Sequence, residues 1–325
     1  MVADLTTKKR FSFRKAIKFI TIGLLSIVVL WLILHQSMTF YERNKYEAMG
    51  QLVEVDGERM HVHTQGDGPS TIILLPGLGT SAPVLDFEPL MNELSKSYRV
   101  VVVEPFGYGW SDKTDKDRTV ENMVEEVRAA LQEANIEGPY ILMPHSIGGI
   151  YSTYYANTYP EEVKAIVGID PTLPAAIDYF DVPVPTMPGF LRVVAPSGIA
   201  RMVIAGNEGD FLPLAEEGTY SADNLDITKT LTVWNGYNKN IIMEANEISN
   251  NIAKTISMSF PSNIPVLIFK TKDDKVNPAG RSTMTFYEEQ LENVEKNKIV
   301  PLDGHHYLHW TNAEEMSRHV GEFIG

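Results

Sequence analysis

The spacing of apolar and polar positions divides the chain into an apolar N-terminal run and a long body where strand and helix patterns alternate. Residues 19–34, FITIGLLSIVVLWLIL, carry no charge over sixteen positions. Such a run exceeds the roughly 10–14 residues of a buried core helix. The His-Gln-Ser-Met-Thr-Phe-Tyr that follows offers no small-residue cleavage site. The pattern predicts an uncleaved membrane anchor, followed by a polar and aromatic stalk over residues 35–50. In the body, apolar runs at 51–55 and 60–63 flank Asp56-Gly57, a hairpin signal. Residues 71–75, 99–104, 140–143 and 163–169 read as buried strands, and Val100-Val101-Val102-Val103 suits a strand covered on both faces. Between them lie helical patterns at 84–94, at 119–134 behind a Thr119 cap, and after Ser146.

The alternation predicts an α/β fold: a mostly parallel central sheet with helices on both faces. It stops at residues 172–258, where prolines crowd first and helical patterns follow without a clear strand. It resumes with strands at 265–269 and 298–301 and helices near 282–292 and from 312, where Asn312 and Glu315 have capping-box spacing. The expected organisation is a basic tail over 1–18, an anchor over 19–34, a stalk over 35–50, a core over 51–171 and 259–325, and a helical cap inserted over 172–258.

Charge adds orientation. Residues 1–18 hold six basic residues and one acid, leaving 22 basic and 41 acidic residues beyond. The basic cluster predicts a cytoplasmic N-terminus, with a single-pass anchor placing the body on the other side of the cell membrane. An acidic body excludes nucleic acid as an expected partner. The absence of cysteine excludes disulfides, thiolate metal sites and a cysteine nucleophile.

The candidate chemistry lies at the predicted strand ends. Met143-Pro144-His145-Ser146-Ile147-Gly148-Gly149 leaves a strand and opens a helix, which would project a serine hydroxyl beside a helix N-terminus. Leu75-Pro76-Gly77-Leu78-Gly79 follows an earlier strand, Asp273-Asp274 follows a later one, and Gly304-His305-His306-Tyr307-Leu308-His309 follows the last. His305-His306-x-x-His309 lacks the glutamate of a zincin helix, so no metal site is read there.

Taken in order, these segments resemble the α/β-hydrolase family from about residue 51 to the C-terminus, with the cap block unmatched. Ser146 takes the place of the nucleophile in the elbow motif G-x-S-x-G, although Pro144 replaces its first glycine. The resemblance implies His306 as general base, since Tyr307 and Leu308 then fall where the family has an aromatic and an apolar residue. It implies backbone donors from Leu78 and Ile147 to an oxyanion. The register of four residues before Pro278 selects Asp274 as the acid, with Asp273 a solvated neighbour and Asp170 the family's alternative location. Glu104-Pro105-Phe106-Gly107-Tyr108-Gly109-Trp110-Ser111-Asp112 matches a further family segment, whose glycines are structural.

The implied activity is hydrolysis of a small-molecule or lipid-like acyl substrate, a carboxylic ester first, through an acyl-enzyme on Ser146 and without cofactor or metal. A non-catalytic receptor with the same fold, and an acyltransferase or peptidase using the same triad, are the alternatives. Phe180, Phe190, Phe211 and Trp234 are candidate linings for an acyl pocket.

Overall fold

The computed structural model describes residues 13–272, 276–277 and 279–325, with the backbone alone for Glu208 and Asp210. The first helix, α1, spans Phe13–Lys45 and is long and apolar enough to cross a membrane. It runs unbroken through residues 35–45 of the segment expected to be a stalk, because these contain neither proline nor glycine to stop it. Residues 1–12 of the basic tail lie outside the described residues. The chain forms two compact units, Met1–Tyr46 and Glu47–Gly325.

The body opens with a hairpin of β1 (Gln51–Val55) and β2 (Glu58–Gln65), then β3 (Thr71–Leu75), α2 (Pro83–Asp86), α3 (Glu88–Leu94) and β4 (Arg99–Glu104). It continues with α4 (Val120–Glu133), β5 (Tyr140–Pro144), α5 (Gly148–Thr158) and β6 (Val163–Ile169). A helical block follows: α6 (Ala176–Phe180), α7 (Val194–Ser197), α8 (Ile199–Gly206), α9 (Ala222–Asn235) and α10 (Lys239–Thr255). The last elements are β7 (Val266–Thr271), α11 (Thr283–Gln290), β8 (Asn297–Leu302) and α12 (Ala313–Ile324).

The strands form one eight-stranded sheet in the order β1-β2-β4-β3-β5-β6-β7-β8. Only β2 runs antiparallel to its neighbours; the pairs from β4 onward are parallel. The two-faced strands explain the continuous apolar runs. Val101 and Val103 enter one core layer with α4, α5, α10 and α11, while Val100 and Val102 enter the other with α2, α3 and α12. Ile73 and Leu75 separate from Ile72 and Leu74 in the same way, as the strand period of two requires.

Local signals mostly act as expected. Thr119 caps α4 by accepting from the Asn122 amide, and the helix predicted over 84–94 divides at Phe87 into α2 and α3. The capping box expected at Asn312 does not form. Its side-chain amide instead donates to the carbonyls of Asp303 and Leu308, closing the loop before α12. The capping box present is at α11, between Ser282 and Thr285. Of the inserted helices, α10 belongs to both halves: Ile248 and Ile252 sit in the core, and the Asn251 side chain accepts from the Val120 amide at the start of α4. The cap proper is the helical stretch before it.

Candidate active site

Ser146 sits between β5 and α5 with φ at 51°, a left-handed conformation that a non-glycine residue adopts only under constraint. Three hydrogen bonds supply the constraint. The Ser146 amide donates to the Ile169 carbonyl, and the Ser146 carbonyl accepts from the Thr172 and Gly149 amides at 2.7 and 2.9 Å. Close packing then requires glycine on the helix side. A Cβ at Gly149 would lie 2.5 Å from the Thr172 carbonyl oxygen and 2.9 Å from Pro171 Cβ. Pro144, the departure from the family motif, costs the sheet little. The β5–β6 ladder pairs Leu142 with Ile166 and resumes only at the bridge between His145 and Ile169, so Pro144 falls in the gap. On the other side, the His145 amide keeps its bond to the Leu75 carbonyl.

His306 lies on the loop after β8, and its Nδ1 is 2.7 Å from Asp170 Oδ2. A carboxylate that accepts from Nδ1–H leaves Nε2 as the basic nitrogen. Asp170 follows β6 directly, and its amide is tied to the Phe269 carbonyl of β7 at 2.8 Å. The acid beside His306 is thus at the alternative position. Asp274, selected by its spacing from Pro278, lies outside the described residues, as does Asp273.

His145 joins the two loops. Its Nε2–H donates to the His306 carbonyl at 3.2 Å, and the two rings lie 4.8 Å apart between centroids. Burial among three further histidines pushes its imidazole well below its ordinary range, so it stays neutral. The residue preceding the serine therefore holds the backbone of His306. The β3 loop packs against both: a Cβ on Gly77 would lie 2.8 Å from His145 Nδ1 and 3.1 Å from Ser146 Cβ. Among the described residues, no group accepts from the amides of Leu78 or Ile147.

The other histidines have separate tasks. His309 is fully buried with Nε2 2.7 Å from Asp86 Oδ2, and Trp310 donates its indole N–H to Asp86 Oδ1. His305 Nδ1 accepts from the Tyr307 amide, and Tyr307 stacks on Trp310 at 4.2 Å. The three histidines of the His305–His309 segment take different hydrogen-bond partners, while the rings of His306 and His309 both pack on His145. A second buried pair, His61 and Glu104 at 2.9 Å, pins the 105–112 loop, since Glu104 also accepts from the Trp110 amide.

Sequence reasoning missed Glu244. It projects from α10 into the core, where Tyr108 and Tyr151 each donate to it at 2.7 Å, and burial pushes its carboxyl above the usual range. The Tyr108 hydroxyl also accepts from the Gly79 amide. One carboxylate thus ties the inserted helices to the β3 loop and to α5. The available signal was a glutamate set among Ile241, Ala245 and Ile248 on the apolar face of a helix.

A cavity of about 420 Å³ runs between the β3 loop and the cap, lined by Leu78, Gly79, Val203, Phe211, Tyr237 and Ile241 among others. A second cavity of about 230 Å³, with a more polar lining and reaching Asp86 and Tyr307, shares Gly79, Ser81, Phe211 and Thr232 with it. Of the four expected lining residues, Phe211 reaches this space. Phe180 packs on Phe286, Trp234 is buried within the cap, and Phe190 faces outward.

A model of the alpha/beta hydrolase fold matches residues 70–313. The chain belongs to the α/β-hydrolase family. The uncharacterized protein YbdG of Bacillus subtilis (strain 168) is 30% identical over 279 residues, covering 80% of this chain and 82% of YbdG. The serine hydrolase BPHL of Mus musculus is 32% identical over 123 residues, 35% of this chain and 40% of BPHL. The epoxide hydrolase VrEH1 of Vigna radiata superposes with a TM-score of 0.62 at 21% identity, covering 84% of this chain and 96% of the other. The eight-stranded, mostly parallel sheet with its covering helices agrees with that fold, and the hydrolase relatives support a hydrolase acting on a small molecule.

Proposed function

We propose that the protein is a membrane-anchored serine hydrolase that cleaves a carboxylic ester through an acyl-enzyme on Ser146. The observation that carries this reading is a serine held at φ 51° beside a histidine loop whose Nδ1 is taken by a carboxylate. In this reading His306 Nε2 removes the Ser146 proton as Oγ attacks the carbonyl carbon. The amides of Leu78 and Ile147, which have no acceptor among the described residues, donate to the resulting oxyanion. Collapse expels the alcohol, which takes the proton from His306, and water repeats the sequence to release the acid. Asp170 orients His306 and stabilises its imidazolium form. In this reading α1 is the anchor, and the basic residues at and ahead of its start support a cytoplasmic N-terminus with the body on the other side of the membrane.

A panel of esters of graded acyl length, assayed with the wild type and Ser146→Ala, tests the mechanism. Turnover by the wild type that disappears in the variant supports it, and equal rates refute it. The same panel with Asp170→Asn and Asp274→Asn separates the two acids. A protease added outside intact cells tests the topology, since it should reach the body.

A further inference from the structure

The cap carries an apolar face. Between residues 182 and 207 there is no acid, although Asp181 and Glu208 stand at its two ends and the chain as a whole is strongly acidic. The only charges in the stretch are Arg192 and Arg201. Within it, the segment Gly189–Ser197 meets Ile199–Gly206 at a bend of 76°. Phe190, Val193, Ile199 and Met202 on this bent pair expose between 42% and 71% of their surface. The opposite side of the same pair faces a cavity. Val194, Ala200, Val203 and Ile204 wall the 420 Å³ cavity, whose far side is Leu78 of the β3 loop. The cap is thus one helix thick between an exposed apolar face and the cavity.

We infer that this face rests on the lipid bilayer and that the cavity takes the apolar chain of an ester drawn from it. The inference deepens the hydrolase reading and rests on it and on the anchor. Three features select a bilayer as the occupant. Only residues 46–50 join α1 to β1, a span of about 18 Å at full extension, so an anchored body has a membrane within reach. An apolar stretch with arginines and no acid of its own between residues 182 and 207 is the composition of interfacial helices, where cations meet headgroups and apolar side chains enter the acyl boundary. The exposed Val203 and Tyr237 line the cavity, which connects the face to the space above the β3 loop. The volume lies within the roughly 300–1,000 Å³ of small-molecule sites, suiting one acyl chain rather than a polymer.

The chain has no cysteine, which permits a clean test. Full-length protein carrying Met202→Cys is labelled with bimane and placed in nanodiscs that contain doxyl-labelled phosphatidylcholine with phosphatidylglycerol. Glu137→Cys, an exposed position on the core, is the control. At least two-fold quenching at position 202, with none at 137, is the expected result. Disc-bound protein with equal signals at both positions overturns the inference while leaving the anchor standing. Quenching that appears only as protein density rises assigns the face to a second copy and also overturns it. Protein that elutes free of the discs overturns the anchor. In a paired assay, Phe190→Ser combined with Met202→Ser should lower hydrolysis of a disc-embedded ester at least ten-fold and leave a soluble short-chain ester within two-fold. Equal losses on both esters contradict the substrate class. If neither ester is turned over by the wild type, the hydrolase reading fails, whatever the quenching shows.

Discussion

The core and the cap treat their surfaces in opposite ways. In the core, polar side chains are held by partners, the half-buried His306 by Asp170 and, in buried positions, His309 by Asp86, His61 by Glu104, and Glu244 by two tyrosines. In the cap, apolar side chains such as Phe190 and Met202 stand exposed over a cavity. Buried polar networks fix geometry, because each lost partner leaves a desolvated group behind. A thin apolar cover fixes little and adapts to what it meets. On the proposed mechanism, the core positions the reacting groups and the cap selects the substrate.

The largest effect that sharpens this division is at the triad. Asp170→Asn should lower kcat by about 10³–10⁴-fold with the fold intact, because the asparagine no longer holds the His306 tautomer. Asp274→Asn should change it by less than about five-fold, on the account that Asp170 supplies the acid. Steady-state kinetics with circular dichroism on both variants decides between the two positions, and the reverse pattern would restore Asp274.

Next in size is the clamp between α10 and the core. Tyr151→Phe removes a donor from the buried Glu244 carboxylate and should destabilise the body by about 1.5–3 kcal/mol. Thermal melts check the value. A surface substitution in the cap such as Met202→Ser should shift stability by less than about 0.5 kcal/mol. Equal losses at the two sites would erase the distinction between a fixed core and an adaptable cap.

The smallest effect is a dependence on pH. His145 is held well below its ordinary value of 6.5 by burial, so the unfolded chain binds its proton first. Its contribution to stability is complete above about pH 6.5 and falls as the pH drops below that value towards the depressed folded one. His145→Gln should flatten the decline of Tm between pH 6.5 and 5. An unchanged slope would remove His145 as its source.

Much of the core was readable from local pattern. The runs at 71–75, 99–104 and 163–169 coincide with β3, β4 and β6, because a strand buried on both faces leaves a continuous apolar signature. The turn at Ser146 was visible because its left-handed conformation needs small residues on the helix side, and Gly148-Gly149 supply them in sequence. The partner of His306 was not visible in this way. Asp170 and Asp274 both follow strands, and only the packing of the β8 loop over the end of β6 selects Asp170 for the contact. The same distance hid Glu244, whose partners are 136 and 93 residues away. Asn312 failed as a cap for the related reason that loop carbonyls of Asp303 and Leu308 competed for its side chain.

The central claim, that Ser146 is a nucleophile prepared by the core, is tested most directly by covalent labelling. Folded full-length protein is treated with a fluorophosphonate, and the intact mass and digested peptides are read by mass spectrometry. The account predicts one adduct, on Ser146, that is absent in Ser146→Ala and strongly slowed in Asp170→Asn. No adduct on the folded wild type, or an adduct that persists in Ser146→Ala, would contradict it.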